Sequence, residues 1–184
     1  MRKLILTVAV VAMATIASAA SVTWKTSTTG KLYEAGTTTL VASSTAYLFE
    51  NSGTTALSAL VEAFAAGTDI TGLTSLATAS VANGVISGGA VAGYETPGDS
   101  VNAYIAVLFD DMLYVSDAKD LVVPGTGNQA VQFALKTSSQ AAALDASAGY
   151  TGAGWYQTAA VPEPTSGLLV LLGMAGLALR RRRA

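Results

Sequence analysis

One cluster of carboxylates in the sequence has the residue types to bind a metal ion. The segment FDDMLYVSDAKD contains four aspartates, Asp110, Asp111, Asp117 and Asp120. Carboxylate oxygens are the hard ligands that Ca²⁺ prefers, so these four residues are the candidate calcium ligands. Their spacing does not match an EF-hand loop, which needs oxygens at closely alternating positions and a closing glutamate. Acids at the end of a hairpin also keep a sheet soluble, and we expect that ordinary role, with no metal and no cofactor.

Paired carboxylates would also allow the hydrolysis of glycosidic bonds. Eleven acids lie between residues 20 and 160, but no motif selects one pair among them. Cysteine and histidine are both absent from the chain, which excludes zinc sites built on those residues, Ser-His-Asp triads and cysteine nucleophiles. We therefore expect a protein that is not an enzyme, and the alternative is a small enzyme that acts on glycans.

The charge of the chain is divided unevenly along its length. Six of the ten basic residues lie at the two ends, whereas eleven of the twelve acids lie between them, together with four lysines and no arginine. A nucleic-acid surface needs a basic face. The acidic central part of the chain therefore argues against a nucleic-acid partner.

The first nineteen residues have the three parts of a secretory signal peptide. Arg2 and Lys3 form a basic start, and an apolar stretch follows from Leu4 to Ile16. Ala17-Ser18-Ala19 then offers small residues at the two positions that signal peptidase reads, Ala17 and Ala19. We predict a signal peptide over residues 1–19, with cleavage after Ala19, or after Ala20 as the second choice.

The other end of the chain, residues 161–184, reads VPEPTSGLLVLLGMAGLALRRRRA. Residues 165–179 are predominantly apolar, and a helix of about fifteen residues rises roughly 22 Å, which is short against the about 30 Å of a bilayer core. The chain then ends in a basic cluster, Arg180, Arg181, Arg182 and Arg183. The positive-inside rule predicts that this cluster stays cytoplasmic, with the rest of the protein across the membrane.

This order of features resembles the PEP-CTERM sorting signal of exported proteins in Gram-negative bacteria, a segment also called the ice-binding protein C-terminal domain. The resemblance covers only residues 161–184, and that second name transfers no activity to the rest of the chain. It implies that an exosortase, an integral membrane enzyme, recognises Pro162, Glu163 and Pro164 and removes the helix. It also implies a link to extracellular polysaccharide, because proteins with this signal are often associated with the extracellular matrix.

Short strands separated by turns are predicted through most of residues 20–160. We expect strands near Val22–Thr26, near Thr38–Ala42 and over the segment TAYLFE. Val101, Ala103, Ile105, Val107 and Phe109 share one face of a further strand, and Asp110-Asp111 would connect it to a return strand over Met112–Ser116. Further strands are predicted for AVQFALK and around Trp155 and Tyr156.

The apolar spacing changes to that of a helix in the segment NSGTTALSALVEAFAAG. Leu57, Leu60, Val61 and Phe64 form one amphipathic stripe. Thr54 or Thr55 is the predicted cap, and Gly67 the predicted end. Asn83-Gly84 indicates a hairpin turn and Pro97-Gly98 a second turn, and SSQAAALDASAG could form a short helix.

Together these patterns predict a mainly β fold, a single sandwich-like domain over residues 20–160 with one amphipathic helix. The alternative fold is a two-layer α+β arrangement. We expect an exported protein that is first anchored in the inner membrane by residues 165–179, and later lies at the cell surface or in the extracellular matrix with a structural or adhesive role. Trp155 and Tyr156 are candidate contacts for polysaccharide if they are exposed, although such aromatics more often lie in a core.

Overall fold

A computed structural model describes residues 20–158. The predicted signal peptide, including Ala17 and Ala19, lies outside the described residues. So do the sorting motif Pro162–Pro164, the predicted membrane helix 165–179 and the arginine cluster Arg180–Arg183. Within residues 20–158, no helix is both long and apolar enough to cross a membrane.

The described part of the chain is built mainly from strands. The strands are β1 Ser21–Thr26, β2 Ser43–Glu50, β3 Ala77–Ala82, β4 Val85–Ala90, β5 Ser100–Phe109, β6 Met112–Val115, β7 Lys119–Val122, β8 Asn128–Phe133, β9 Leu144–Asp145 and β10 Gly154–Gln157. The helices are α1 Leu57–Ala65 and α2 Lys136–Gln140, and three 3-10 turns cover Gly53–Thr55, Ile70–Gly72 and Ala146–Ala148. The predicted mainly β fold is confirmed.

The strands form a single curled sheet in the order β8-β1-β4-β3-β2-β5-β6-β10-β9, with β7 paired to β5. The pairings are antiparallel except for β1 with β8 and β9 with β10, which are parallel. Strand β4 turns the corner of the sheet. Its first residues pair with β3, as in Ile86 with Val81, and its later ones pair with β1, where the register shifts between Thr23 and Lys25. A register shift of this kind bends a strand, so the predicted sandwich takes the form of one sheet that curls over itself.

Strand β5 is covered on both faces, as its two sets of apolar side chains require. Ala103, Ile105 and Val107 point into the core inside the curl, which also holds the side chains of both tryptophans. Tyr104 and Ala106 point the other way, into a second core that α1 covers through Leu60 and Val61. The face predicted for β5 and the apolar stripe of α1 are therefore both confirmed.

One edge of β5 is shared by two strands, and a serine fills the gap between them. Strand β6 pairs with Ala106–Phe109 and β7 pairs with Ser100–Ala103. Between the two pairings, Ile105 N–H donates to Ser116 Oγ at 2.9 Å, and Ser116 N–H donates to the Ile105 carbonyl, also at 2.9 Å. Ser116 is buried, and these bonds satisfy a backbone group that the switch between strands would otherwise leave unpaired.

The predicted turns form with the backbone angles that their residues favour. Asn83 and Gly84 have φ of 49° and 70°, and Asp110 and Asp111 have φ of 48° and 58°. Two successive positive values are those of a type I′ hairpin turn. Gly98 has φ of 92°, the left-handed angle that a type II turn needs after a proline.

The predicted strand over Thr38–Ala42 was wrong. No strand forms there, and Leu40 makes only an isolated bridge with Tyr33. There the Thr37 hydroxyl donates to the Glu34 carbonyl and accepts from Thr39 N–H, both at 3.1 Å, and such local bonds compete with strand pairing.

The predicted cap of α1 was also wrong, although its end was right. Asn51 Oδ1 accepts from Leu57 N–H at 3.0 Å, whereas the Thr55 hydroxyl donates to the Ser52 carbonyl. The helix runs to Ala65 and is terminated by Gly67, which has φ of 74°. Thr68 N–H donates to the Ala63 carbonyl, the bond of a Schellman motif. A short helix was predicted in residues 138–149. The observed helix, α2, covers Lys136–Gln140 and so overlaps only the start of that segment.

Candidate functional site

The four aspartates proposed from the sequence as calcium ligands do not come together. Asp110 and Asp111 form the turn at one end of β6, whereas Asp117 follows its other end and Asp120 lies on β7. Within residues 20–158, no three acidic side chains are close enough together to hold a metal ion. The length of β6 separates the two pairs, so their closeness in sequence does not become closeness in space.

Asp120 instead takes part in a row of hydrogen-bonded polar side chains. Asn102 Nδ2 donates to Asp120 Oδ1 at 2.7 Å, and Asn51 Nδ2 donates to Asn102 Oδ1 at 2.9 Å. Since Asn51 Oδ1 also accepts from the first backbone N–H of α1, the row connects β7 and β5 to the start of the helix. These hydrogen bonds give Asp120 a structural role.

The aromatic residues proposed to contact polysaccharide are fully buried. Trp155 and Tyr156 have 0% exposed surface. Trp155 Nε1 donates to the Tyr33 carbonyl at 2.8 Å, and Tyr156 Oη donates to the Gly152 carbonyl at 2.7 Å. Because β10 lies between the two cores, its alternate side chains enter one core or the other. The contact proposed for these two residues is therefore wrong, and the core interpretation is confirmed.

The tyrosines within the two cores are also structural. Tyr104 Oη donates to the Thr55 carbonyl at 2.7 Å, and Tyr114 Oη lies 2.6 Å from Ser138 Oγ. Burial raises the pKa of Tyr104 and of Tyr114 well above the usual value. Both phenols therefore stay protonated at neutral pH, and neither is suited to act as a general base.

A concave site, which we call the acidic cleft, lies between the loop after α1 and the β5–β6 turn. Its volume is about 410 Å³, and its lining consists of Phe64, Gly67, Thr68, Asp69, Ile70, Leu108, Phe109, Asp110, Asp111 and Thr158. Aromatic and aliphatic side chains supply somewhat more than half of its surface, and three carboxylates border it. The chain leaves the described region at Thr158, so the last described residue is itself part of the lining.

Asp69 is held in place by the first residues of the turn that it begins. Its Oδ1 accepts from Thr71 N–H at 2.9 Å and from Thr71 Oγ1 at 2.6 Å. These two bonds lower the pKa of the Asp69 carboxyl, because both favour its charged form. A general acid for glycoside hydrolysis needs a raised pKa, so Asp69 is suited to act as a fixed anion and unsuited to donate a proton.

The sequence did not point to Asp69 as a cleft residue. The spacing of Asp69 and Thr71 is a local signal for a side chain that caps a turn. Nothing local connects it to Asp110 and Asp111, because only the packing of α1 on the sheet brings the two loops together.

The comparisons with known proteins place one known feature in the chain. The profile of the PEP-CTERM protein-sorting motif matches residues 160–183. No curated protein and no solved structure shows a significant match. The matched motif supports an exported protein that an exosortase targets at its C-terminal end. The resemblance seen in the Pro-Glu-Pro tripeptide, the apolar run and the arginines is thus confirmed, and the chain carries a PEP-CTERM protein-sorting motif at residues 160–183.

Proposed function

We propose that this protein is a structural or adhesive component of the surface or extracellular matrix of a Gram-negative bacterium. Signal peptidase removes residues 1–19 during export. Residues 165–179 then hold the protein in the inner membrane until an exosortase reads Pro162, Glu163 and Pro164 and removes the helix. The folded body is released or attached outside, in contact with extracellular polysaccharide.

The observation that carries this proposal is the sorting-motif match over residues 160–183. A basic and apolar start followed by Ala17-Ser18-Ala19 supports export from the other end of the chain. The two ends therefore agree, since a C-terminal sorting signal of this kind serves only a protein that reaches the membrane.

The body supports a structural role through the way its side chains are used. Trp24, Trp155, Tyr104, Tyr114 and Tyr156 all lie fully inside the two cores. Their apolar surface stabilises the fold, and neither tryptophan is available to a ligand. With no cysteine in the chain, the exported body depends on these cores and on its sheet for stability.

The test is the intact mass of the protein recovered from cell fractions of its native host. We expect a chain that starts at Ala20 or Ser21 and ends near Val161–Thr165, with any additional mass accounted for by glycans or matrix attachment. A matched variant, Glu163→Gln, should stay in the membrane fraction with its C-terminal end intact. A wild-type mass that retains Arg180–Arg183 would contradict the processing step and leave a membrane-anchored protein.

A second candidate function, binding or cleavage of a glycan at the cell surface, is favoured by the acidic cleft. Asp69, Asp110 and Asp111 border one concave site, and carboxylates are common partners of sugar hydroxyls. The variant Asp110→Asn with Asp111→Asn should weaken binding to, or hydrolysis of, the polysaccharide of the host, whereas Asp117→Asn at the other end of β6 should not. Equal behaviour of the two variants would reject the cleft as a glycan site.

A further inference from the structure

We propose that the acidic cleft holds the segment that follows it in the chain, residues 159–161, and so displays the sorting motif at its edge. This inference rests on the proposed function only in that the displayed residues are those that an exosortase would read. Its occupant is a named segment of the chain, Ala-Ala-Val, which connects the described body to Pro162.

The chain leaves the body next to this cleft. Strand β10 pairs antiparallel with β6, and Gln157 lies opposite Met112. The next residue, Thr158, continues toward the β5–β6 turn and lines the cleft. The chain therefore leaves the body inside the cleft.

The segment between Thr158 and Pro162 is short. Three residues span at most about 10 Å when fully extended. Residues 159–161 thus remain next to the cleft, and a tether this short gives them an effective concentration in the millimolar range. A separate molecule would need a correspondingly high affinity to displace them.

The apolar part of the cleft also matches the polarity of the segment. Phe64, Leu108 and Phe109 expose apolar surface in the cleft, and residues 159–161 are apolar and uncharged. The first charge after Thr158 is that of Glu163, which the carboxylates of Asp69, Asp110 and Asp111 would repel. The polarity of the lining therefore favours docking of residues 159–161 and keeps Glu163 outside.

The natural chain contains no cysteine, so disulfide trapping can test this placement without background. The full chain is produced in a bacterium that lacks an exosortase, so that the C-terminal segment is retained. One variant pairs Ala160→Cys with Thr68→Cys, an exposed position in the cleft. The matched control pairs Ala160→Cys with Asp117→Cys, which is also exposed and follows the far end of β6 from Met112, the residue opposite Gln157.

Under mild oxidation we expect the cleft pair to form an intrachain disulfide at least about tenfold faster than the control pair, because docking raises the local concentration of one thiol at the other. Adding Val161→Asp should remove this difference, and adding Val161→Leu should preserve it. Equal rates for the two pairs would overturn the inference. A product that is mainly a disulfide-linked dimer would also overturn it, since the occupant would then be the segment of a second copy.

This outcome is separable from the proposed function. The trapping experiment uses a chain that no exosortase has cut, so it reports docking alone. If the intact mass in the native host retains Arg180–Arg183, the processing proposal fails while docking is still decided by the disulfide rates.

Discussion

At the scale of single residues, the packing of Trp24 depends on the absence of one side chain. A Cβ atom at Gly88 would collide with the indole ring of Trp24, whereas one at the neighbouring Gly89 would meet no atom within 4 Å. Trp24 is fully buried in the core inside the curl. Because that core is packed on all sides, the indole has little room to move away from an added methyl group.

We therefore expect Gly88→Ala to lower the free energy of unfolding by about 1–3 kcal/mol, the usual cost of an overpacked core. Gly89→Ala is the matched control, and it should change stability by no more than about 0.5 kcal/mol. Urea denaturation followed by tryptophan fluorescence measures both. Equal stabilities of the two variants would mean that the indole shifts freely.

At the scale of elements, turn chemistry could be predicted from the sequence and strand partnership could not. Asn83-Gly84 and Asp110-Asp111 predicted hairpin turns correctly. Both central residues of such a turn need positive φ, and these residue types tolerate it. The apolar stripe of α1 could also be predicted, because its residues lie within two turns of one helix. By contrast, the exchange of partners along β4 depends on β1, which is far away in sequence. The cap that Asn51 provides to α1 lies six residues before Leu57, across a 3-10 turn and outside the usual capping position.

The same distinction explains the candidate site. The aspartates between 110 and 120 are close in sequence, but β6 carries them to opposite ends. Asp69 comes from a distant segment, and packing alone places it on the same cleft as Asp110. Sequence spacing therefore identified Asp110 and Asp111 as candidate site residues but did not identify Asp69, the third carboxylate of the cleft.

The contribution of Asp69 to the stability of the protein should depend on pH, and part of that dependence should come from the Thr71 hydroxyl. Its two bonds to Thr71 lower the pKa of Asp69 below the usual 3.8. A carboxyl whose pKa is depressed on folding stabilises the protein above its unfolded pKa and loses that contribution as the pH falls through the folded pKa. We therefore expect Thr71→Val to raise the pKa of Asp69 toward its ordinary value.

Carboxyl NMR titration of the wild type and the variant measures this shift. The two proteins should differ in stability near neutral pH and converge as the pH falls below the lowered pKa of Asp69, where the carboxyl is protonated in both. Asp145 is a control within the same molecule, because its pKa is lowered by Ser147 instead and should not change. If the pKa of Asp69 is the same in the Thr71→Val variant as in the wild type, the Thr71 hydroxyl does not lower it.

At the scale of the whole molecule, the curl of the sheet brings two distant strands together. Strand β7 is attached to β5, and β8 lies at the end of the sheet beside β1. Lys119 on β7 spans them, since its Nζ donates to the Gln132 carbonyl on β8 at 2.7 Å and lies 5.7 Å from the centre of the Phe133 ring. In an exported body with no disulfide, this contact helps to hold the curl closed.

We expect Lys119→Met to lower the free energy of unfolding by about 1 kcal/mol, because it removes a charged donor and a cation–π contact at an exposed site. The methionine keeps most of the apolar stem, so packing over Phe133 changes little. Hydrogen exchange should accelerate first at the amides of β8, which would open before the rest of the sheet. Lys31→Met, at a partly exposed lysine in the loop after β1, removes the same charge away from this contact and should leave β8 unchanged. Faster exchange spread evenly over all strands would instead mean that Lys119 contributes only to overall charge.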